Sequence, residues 1–159
     1  MAAWKSICCP IDFSVVSAHA LEEAAEQAWR SGGALTLLHV REAPSLPLAD
    51  ETLASREALE QAAVEHERLL ASWEERARRM STVAVDSRVL SGDPATEIIR
   101  FAGERRYDLI VMGTHGRTGR EGVPFGSVAQ KVVLDAPCPV LVVHPRAARA
   151  AARPIARSA

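Results

Sequence analysis

The sequence predicts an α/β protein: a single doubly wound, five-stranded parallel sheet with helices on both faces. Five short apolar runs alternate strictly with longer segments in which apolar residues recur at the helical period. Such alternation favours parallel strands joined by right-handed helical crossovers. The length of 159 residues and the hydrophobic fraction of 48% suit one domain with one full core. We expect this domain to span residues 1–145.

The strands are predicted from apolar runs of strand length. The third run alternates between apolar and polar residues, as a strand with one buried face does. The fourth is almost wholly apolar, which is typical of a strand buried on both faces. The predicted strands are Trp4–Ile11, Ala34–Val40, Thr82–Leu90, Asp108–Met112 and Pro139–His144.

Four helices are predicted between the strands. Ser14 or Ser17 can cap the first, and Asp93 followed by a proline caps the third. The fourth begins near Gly126 and ends before Pro137. The residues expected to face the core are Leu21, Ala24, Ala25, Ala28 and Trp29 in the first helix; Leu59, Ala63, His66, Leu70, Trp73, Ala77 and Met80 in the second; Ile98, Ile99 and Ala102 in the third; and Val128, Val132 and Val133 in the fourth. On such a stripe His66 is expected to be a packed, hydrogen-bonded residue rather than a ligand.

Composition argues against several classes of function. A net charge of −1 provides no large positive field, so we expect no nucleic-acid binding. No apolar run approaches the roughly 18 residues of a membrane span, and no signal-peptide pattern is present, so we expect a soluble, cytoplasmic protein. The Ala/Arg-rich residues 146–159 are expected to be a disordered tail. Cys8, Cys9 and Cys138 are expected to be small buried hydrophobic residues, because neither their number nor their spacing suggests disulfides or zinc.

The loop after the fourth strand is the candidate binding site. Its glycines leave backbone N–H groups free to point at a ligand. Gly126 and Ser127 then open a helix, whose first N–H groups and dipole favour an anion. The Ser127 hydroxyl and the Arg117 guanidinium can add hydrogen bonds. This combination predicts a di- or triphosphate site; the alternative is a glycine-rich surface loop without a ligand.

Three common nucleotide or hydrolase motifs do not fit. A Walker A loop requires a lysine immediately before Ser127, and none is present. A dinucleotide fingerprint should follow the first strand, which instead leads into Asp12-Phe13-Ser14. The G-x-S-x-G elbow of serine hydrolases is also missing. Asp12 itself leaves two interpretations open: it binds a ribose hydroxyl, an adenine amino group or Mg²⁺, or it only caps the first helix.

The glycine spacing Gly113-x2-Gly116-x9-Gly126-Ser127 resembles the G-x2-G-x9-G-[ST] signature of ATP-binding members of the universal stress protein family. The resemblance covers about residues 4–144. Further matching segments are Pro10–Ser14, Ser91–Ala95, Tyr107–Gly113 and Ala136–Val143. Between Gly116 and Gly126 the chain departs from the family, since it carries a polar segment that ends in Pro124 and Phe125 instead of an apolar stretch.

The resemblance implies a sheet order of 3-2-1-4-5 and ATP as the cofactor, with Mg²⁺. The adenosine pocket would contain Pro10, Ile11, Asp12, Phe13, Ser14 and Val40; the ribose and phosphates would lie beside Met112 and Gly113; and the phosphates would be held by Thr114, His115, Gly116, Arg117, Thr118, Gly126, Ser127 and Val128. A homodimer through the fifth strand, Val140–Val143, is also implied. No residue is assigned as catalytic or as a metal ligand.

The leading functional hypothesis is a dimeric, ATP-binding stress-response sensor or regulator that acts on a protein partner and hydrolyses ATP slowly at most. The alternative is an interaction module of the same fold with an empty nucleotide site. An adenylyl-transferring or ATP-pyrophosphatase enzyme on a similar sheet would need H-x-G-H or S-G-G-x-D-S after the first strand, and neither is present. We also expect a double substitution, Gly113→Val with Gly126→Val, to abolish nucleotide binding while leaving the fold intact.

Overall fold

Strands and helices alternate along the chain as the sequence predicts. The computed structural model describes residues 3–42, 53–115 and 125–144. Its elements are β1 (Ser6–Pro10), α1 (Val15–Ser31), β2 (Ala34–Arg41), α2 (Leu53–Met80), β3 (Val85–Ser91), α3 (Pro94–Arg105), β4 (Leu109–Gly113), α4 (Ser127–Asp135) and β5 (Val140–Val143). The third strand begins at Val85 rather than at the predicted Thr82, and β1 is shorter than predicted at both ends. The predicted tail, residues 146–159, lies outside the described residues.

The five strands form one parallel sheet in the order β3-β2-β1-β4-β5. This confirms the predicted fold and strand order. β1 is central, with Cys8 opposite Thr36 of β2 on one side and opposite Ile110 of β4 on the other. From β1 the chain winds outward to β3 and then returns to the other side of β1 to form β4. The strand order therefore reverses between β1 and β4, which is where ligands bind in open sheets of this type.

Two apolar clusters fill the space between the sheet and its helices. On one face the cluster includes Leu21 of α1 and Leu70 of α2, and on the other it includes Ile98 of α3 and Val132 of α4. Cys9 belongs to the first cluster and Cys8 to the second, as alternation along a strand requires. Burial raises the pKa of the Cys9 thiol to about 12. Cys8 and Cys9 are therefore core residues, as predicted.

Four side chains predicted to face the core are exposed instead. The exposed fractions are 62% for Trp29, 42% for Leu59, 40% for Met80 and 45% for Val133. Leu59 and Met80 lie near the ends of α2, whose 28 residues extend about 42 Å. The eight residues of β2 span only about 26 Å, so the ends of α2 extend beyond the sheet. Trp29 and Val133 each follow a fully buried residue and are rotated about 100° away from the core.

The helix caps position the segments that follow the strands. Ser14 caps α1, and its hydroxyl accepts a hydrogen bond from the Ser17 N–H at 3.2 Å, so the first of the two predicted caps is the one used. Asp93 caps α3 by accepting from the Thr96 N–H at 3.0 Å, as predicted. The hydrogen bonds from Thr96 lower the pKa of the Asp93 carboxyl. Both helices therefore begin where the side chain of the preceding residue replaces the missing helical partner.

Gly113, at the end of β4, lies in close contact with α1. A Cβ atom at this position would lie 2.7 Å from Val16 Cγ1 and 3.4 Å from the Val16 carbonyl carbon. The glycine is therefore required by packing between β4 and α1, in addition to any role toward a ligand. The double substitution Gly113→Val with Gly126→Val, expected from the sequence to leave the fold intact, would therefore force Val16 to shift, and we expect its Gly113→Val component to destabilise the protein.

We predict that Gly113→Ala lowers the free energy of unfolding by about 1–3 kcal/mol, the usual cost of overpacking. In a Val16→Ala background the same substitution should cost clearly less, because the clashing Cγ1 methyl group of Val16 is gone. Urea denaturation of the four proteins of this double-mutant cycle measures both values. Equal costs in the two backgrounds would show that the Val16 contact does not explain the glycine.

Candidate functional site

A crevice opens at the carboxyl ends of β1, β2 and β4, where the strand order reverses. Its volume is about 430 Å³. The start of α4 closes one end, and the last residues of β2 with the middle of α2 form the other. The lining residues are Pro10, Ile11, Asp12, Ser17, Leu38, His39, Val40, Arg41, Glu42, His66, Pro94, Ile98, Met112, Gly113, Thr114, His115, Gly126, Ser127, Val128 and Ala129.

Most of the predicted site residues in the described part of the chain meet in this crevice. Those that line it are Pro10, Ile11, Asp12, Val40, Met112, Gly113, Thr114, His115, Gly126, Ser127 and Val128. Phe13 and Ser14 do not line it, because Ser14 caps α1 and Phe13 packs against aromatic rings. The predicted residues Gly116, Arg117 and Thr118 lie outside the described residues.

Thr114 joins the two ends of the glycine-rich loop through its backbone. Its N–H donates to the Val143 carbonyl of β5 at 3.0 Å, and its carbonyl accepts from the Gly126 N–H at 2.7 Å. The residue is fully buried. These two hydrogen bonds set the first turn of α4 directly beside the end of β4, although eleven residues separate Thr114 from Gly126 in the sequence.

The first turn of α4 presents backbone donors to the crevice. Gly126 is its N-cap and, unlike Ser14 or Asp93, provides no side-chain hydrogen bond. The first helical hydrogen bond runs from the Gln130 N–H to the Gly126 carbonyl, at 2.9 Å. The N–H groups of Ser127 and the two residues after it precede that bond and have no partner in the helix. Together with the helix dipole they make this end of the crevice suitable for an anion.

Asp12 both supports α1 and lines the crevice. Its Oδ1 accepts from the Ser17 hydroxyl at 2.6 Å and from the Ser14 N–H at 3.0 Å. The Asp12 N–H in turn donates to the Ser17 Oγ at 3.1 Å. Of the two interpretations that the sequence left open, the helix-supporting one is therefore present in the structure. Asp12 also lies on the crevice wall, so the same side chain can contact a bound ligand while it supports α1.

An aromatic cluster supports the wall on the α2 side. Phe13 has a left-handed backbone, with φ of 66°, and its ring centroid lies 4.4 Å from that of His39 and 5.6 Å from that of Trp73. His66 stacks on Phe13 at 6.2 Å and lies 5.2 Å from His39. His39 Nδ1 is 3.0 Å from the Ile11 carbonyl and donates to it in the matching tautomer. His66 is thus packed, as predicted, but it also lines the crevice, which was not predicted.

Sequence reasoning missed the polar residues at the β2 end of the crevice. His39, Arg41 and Glu42 follow or flank Val40, so their strand position alone could have suggested them. His66 gave no such signal, because only the packing of α2 against the sheet brings it there.

Among the residues that the structure describes, no group of three or more histidine, cysteine or carboxylate side chains is arranged to hold a metal ion. None of the helices in the described ranges is sufficiently long and apolar to span a membrane.

Sequence comparisons identify related proteins. The profile of the universal stress protein family matches residues 3–144. A universal stress protein of Bacillus subtilis is 33% identical over 142 residues, which cover 84% of this chain and 95% of that protein. One from Mycolicibacterium smegmatis is 35% identical over 137 residues, 86% of this chain and 44% of the relative. One from Methanocaldococcus jannaschii is 52% identical over 61 residues, 38% of this chain and 36% of the relative. The chain thus spans less than half the length of the latter two.

Solved structures share the fold. The universal stress protein UspA from Lactobacillus plantarum gives a TM-score of 0.81 at 26% identity, over 90% of this chain and 99% of that one. A universal stress protein in complex with cAMP gives a TM-score of 0.71 at 22% identity, over 91% of this chain and 100% of that one. A universal stress protein family protein from Arabidopsis thaliana with AMP bound gives a TM-score of 0.65 at 21% identity, over 90% of this chain and 93% of that one. At such identities, the last two comparisons show the fold alone.

We predict that Asp12→Ala destabilises the ligand-free protein by about 1–2 kcal/mol, because the Ser14 N–H and the Ser17 hydroxyl lose their acceptor. Asp12→Asn should cost less, since the amide oxygen can still accept one of these bonds. Urea denaturation in nucleotide-free buffer makes the comparison. An unchanged unfolding midpoint in Asp12→Ala would contradict the helix-supporting role.

Proposed function

Because this chain belongs to the universal stress protein family, we propose that its crevice binds an adenine nucleotide, with ATP as the resident ligand. The bound nucleotide would make the protein a stress-response sensor or regulator. The family includes structures described with cAMP and with AMP bound, which supports a nucleotide as the class of ligand. Since the chain spans only part of two of its relatives, its activity and partners as a whole belong to this proposal as well.

The observation that carries the proposal is the start of α4 at one end of the crevice. Gly126 supplies no side-chain cap, so the donors of Ser127, Val128 and Ala129 are available to phosphate oxygens. The Ser127 hydroxyl, which is on an exposed residue, can donate to the same oxygens. Mg²⁺ would enter with the phosphates, since it is usually bound through substrate phosphates, water and one or two carboxylates. Asp12 is a carboxylate on the crevice wall.

The rest of the crevice suits a nucleoside. Leu38, Val40, Ile98 and Met112 give it apolar walls, on which the faces of a base can pack. Gly113 allows the chain to approach the ribose and phosphates closely, since it has no side chain. A volume of about 430 Å³ lies within the usual range for small-molecule sites, which is roughly 300–1,000 Å³.

A regulatory role fits these side chains better than rapid catalysis. A fast ATPase needs a base that positions the attacking water. In the described part of the crevice, Asp12 Oδ1 already accepts two hydrogen bonds, and His115 Nδ1 lies 3.1 Å from Thr114 Oγ1. We therefore propose ATP hydrolysis that is slow at most, with an unidentified protein as the target of regulation.

The proposal includes a homodimer formed through β5. Within the described residues, this strand pairs with β4 alone, and Val140–Val143 are apolar and only partly buried. An open apolar edge of this kind favours pairing with another strand. Leu134 of α4, which precedes β5 in the chain, is 74% exposed and would add apolar surface beside that edge.

We predict that protein purified without added nucleotide releases ATP when it is denatured, as detected by ion-exchange chromatography of the supernatant. For nucleotide-free protein, Mg-ATP at 100 times its Kd should add about 2.7 kcal/mol of stability and raise Tm by about 5–10 °C. If no nucleotide is released and millimolar Mg-ATP leaves Tm unchanged, the chain is an interaction module with an empty site.

We predict opposite effects of Ser127→Asp on stability and on binding. A carboxylate at the start of α4 interacts favourably with the helix dipole and should stabilise the ligand-free protein by about 0.3–1 kcal/mol. The same charge repels phosphates and should weaken ATP binding by more than about tenfold. Ser127→Asn is the neutral control of matching size and should retain most of the affinity. ATP binding by Ser127→Asp at the wild-type Kd would show that the phosphates lie elsewhere.

A further inference from the structure

The polar residues at the β2 end of the crevice have no role in phosphate binding as described above. Arg41 is the last residue of β2, and its buried Nε has no hydrogen-bond partner among the residues that the structure describes. The imidazole of His66, from α2, makes ring contacts with Phe13 and His39, and within the described ranges no hydrogen bond joins it to another residue. Both side chains line the crevice. A buried guanidinium nitrogen without an acceptor is costly, which indicates that a ligand supplies one.

The strand order indicates which part of a bound nucleotide lies at the β2 end of the crevice. α4 follows β4, whereas Arg41 ends β2, and β1 lies between those two strands. Two strand spacings correspond to about 10 Å. A nucleotide whose phosphates contact the start of α4 therefore extends across β1 toward β2, with its base at the β2 end.

The two sides of the crevice differ at that end. Leu38 and Val40 belong to the apolar cluster on the α3 and α4 side. Arg41 is two positions after His39 in β2 and shares its face, on the side of α2. The apolar side chains can pack on the base but cannot bond its polar atoms, so side-chain hydrogen bonds to the base come from the side that carries Arg41 and His66.

We propose that Arg41 and His66 form a hydrogen-bonding subsite for the edge of the nucleobase and thereby contribute to nucleotide specificity. Arg41 donates to acceptor atoms of the base, and His66 can donate or accept depending on its tautomer. The Phe13 ring stacks on the His66 ring, with an angle of 16° between the ring planes. This inference rests on the proposed nucleotide site and assigns contacts within it to side chains outside the glycine signature.

The test separates the base end from the phosphate end by using two ligands. Calorimetric titration measures the Kd of ATP and of inorganic tripolyphosphate, which lacks a base. Arg41→Met keeps the aliphatic length of the side chain, and His66→Phe keeps the ring that packs on Phe13. Arg68→Met, on the exposed face of the same helix as His66, is the matched control for loss of a positive charge. Thermal unfolding without ligand verifies that each variant is folded.

We expect Arg41→Met and His66→Phe each to weaken ATP binding by about tenfold or more, with tripolyphosphate binding within about twofold of wild type. Arg68→Met should change neither Kd. The proposal is overturned if folded Arg41→Met and His66→Phe bind ATP as wild type does, or if they lose tripolyphosphate affinity to the same extent as ATP affinity. If the wild-type protein binds tripolyphosphate and ATP equally well, the phosphate site stands and the base subsite fails. If it binds neither ligand, the nucleotide site itself is wrong.

Discussion

The architecture of the crevice depends on one buried residue, Thr114. Its N–H is bonded to β5 and its carbonyl to the N–H of Gly126, so a single residue ties the end of β4 to the edge strand and to the start of α4. A buried backbone group without a partner is costly, and both bonds are therefore strongly favoured. The consequence is that α4 begins at the crevice, with Ser127, Val128 and Ala129 on its lining.

The wall of the crevice on the α2 side depends on the conformation of Phe13, which follows β1. Phe13 adopts a left-handed backbone, which costs roughly 1–2 kcal/mol for a residue with a side chain. Its ring contacts with His39, His66 and Trp73 offset that cost and link α2 to the crevice. Strained backbone of this kind is often found beside binding sites. The crevice thus has an end formed by backbone donors at α4 and an end formed by side chains at β2 and α2.

The sequence was sufficient to predict the features that depend on local chemistry. Alternating apolar runs predicted the sheet, and the Gly126-Ser127 pair predicted the start of α4, which lies at the crevice. The sequence was insufficient for features that depend on the packing of distant segments against each other. The periodicity of α2 included His66 but could not show that the packing of α2 brings it to the crevice. The alanine-rich face of α1 did not reveal that Trp29 is exposed. The requirement for glycine at 113 likewise depends on Val16 of a helix about a hundred residues earlier in the chain.

We propose that the backbone N–H groups at the start of α4 bind the phosphates of a nucleotide. Amide chemical shifts of ¹⁵N-labelled protein during a titration with Mg-ATP report on these groups. We expect the amides of Ser127, Val128 and Ala129 to shift most strongly, in the direction of stronger hydrogen bonding, and tripolyphosphate to produce the same shifts. Saturable ATP binding that leaves these three amides unshifted would contradict it.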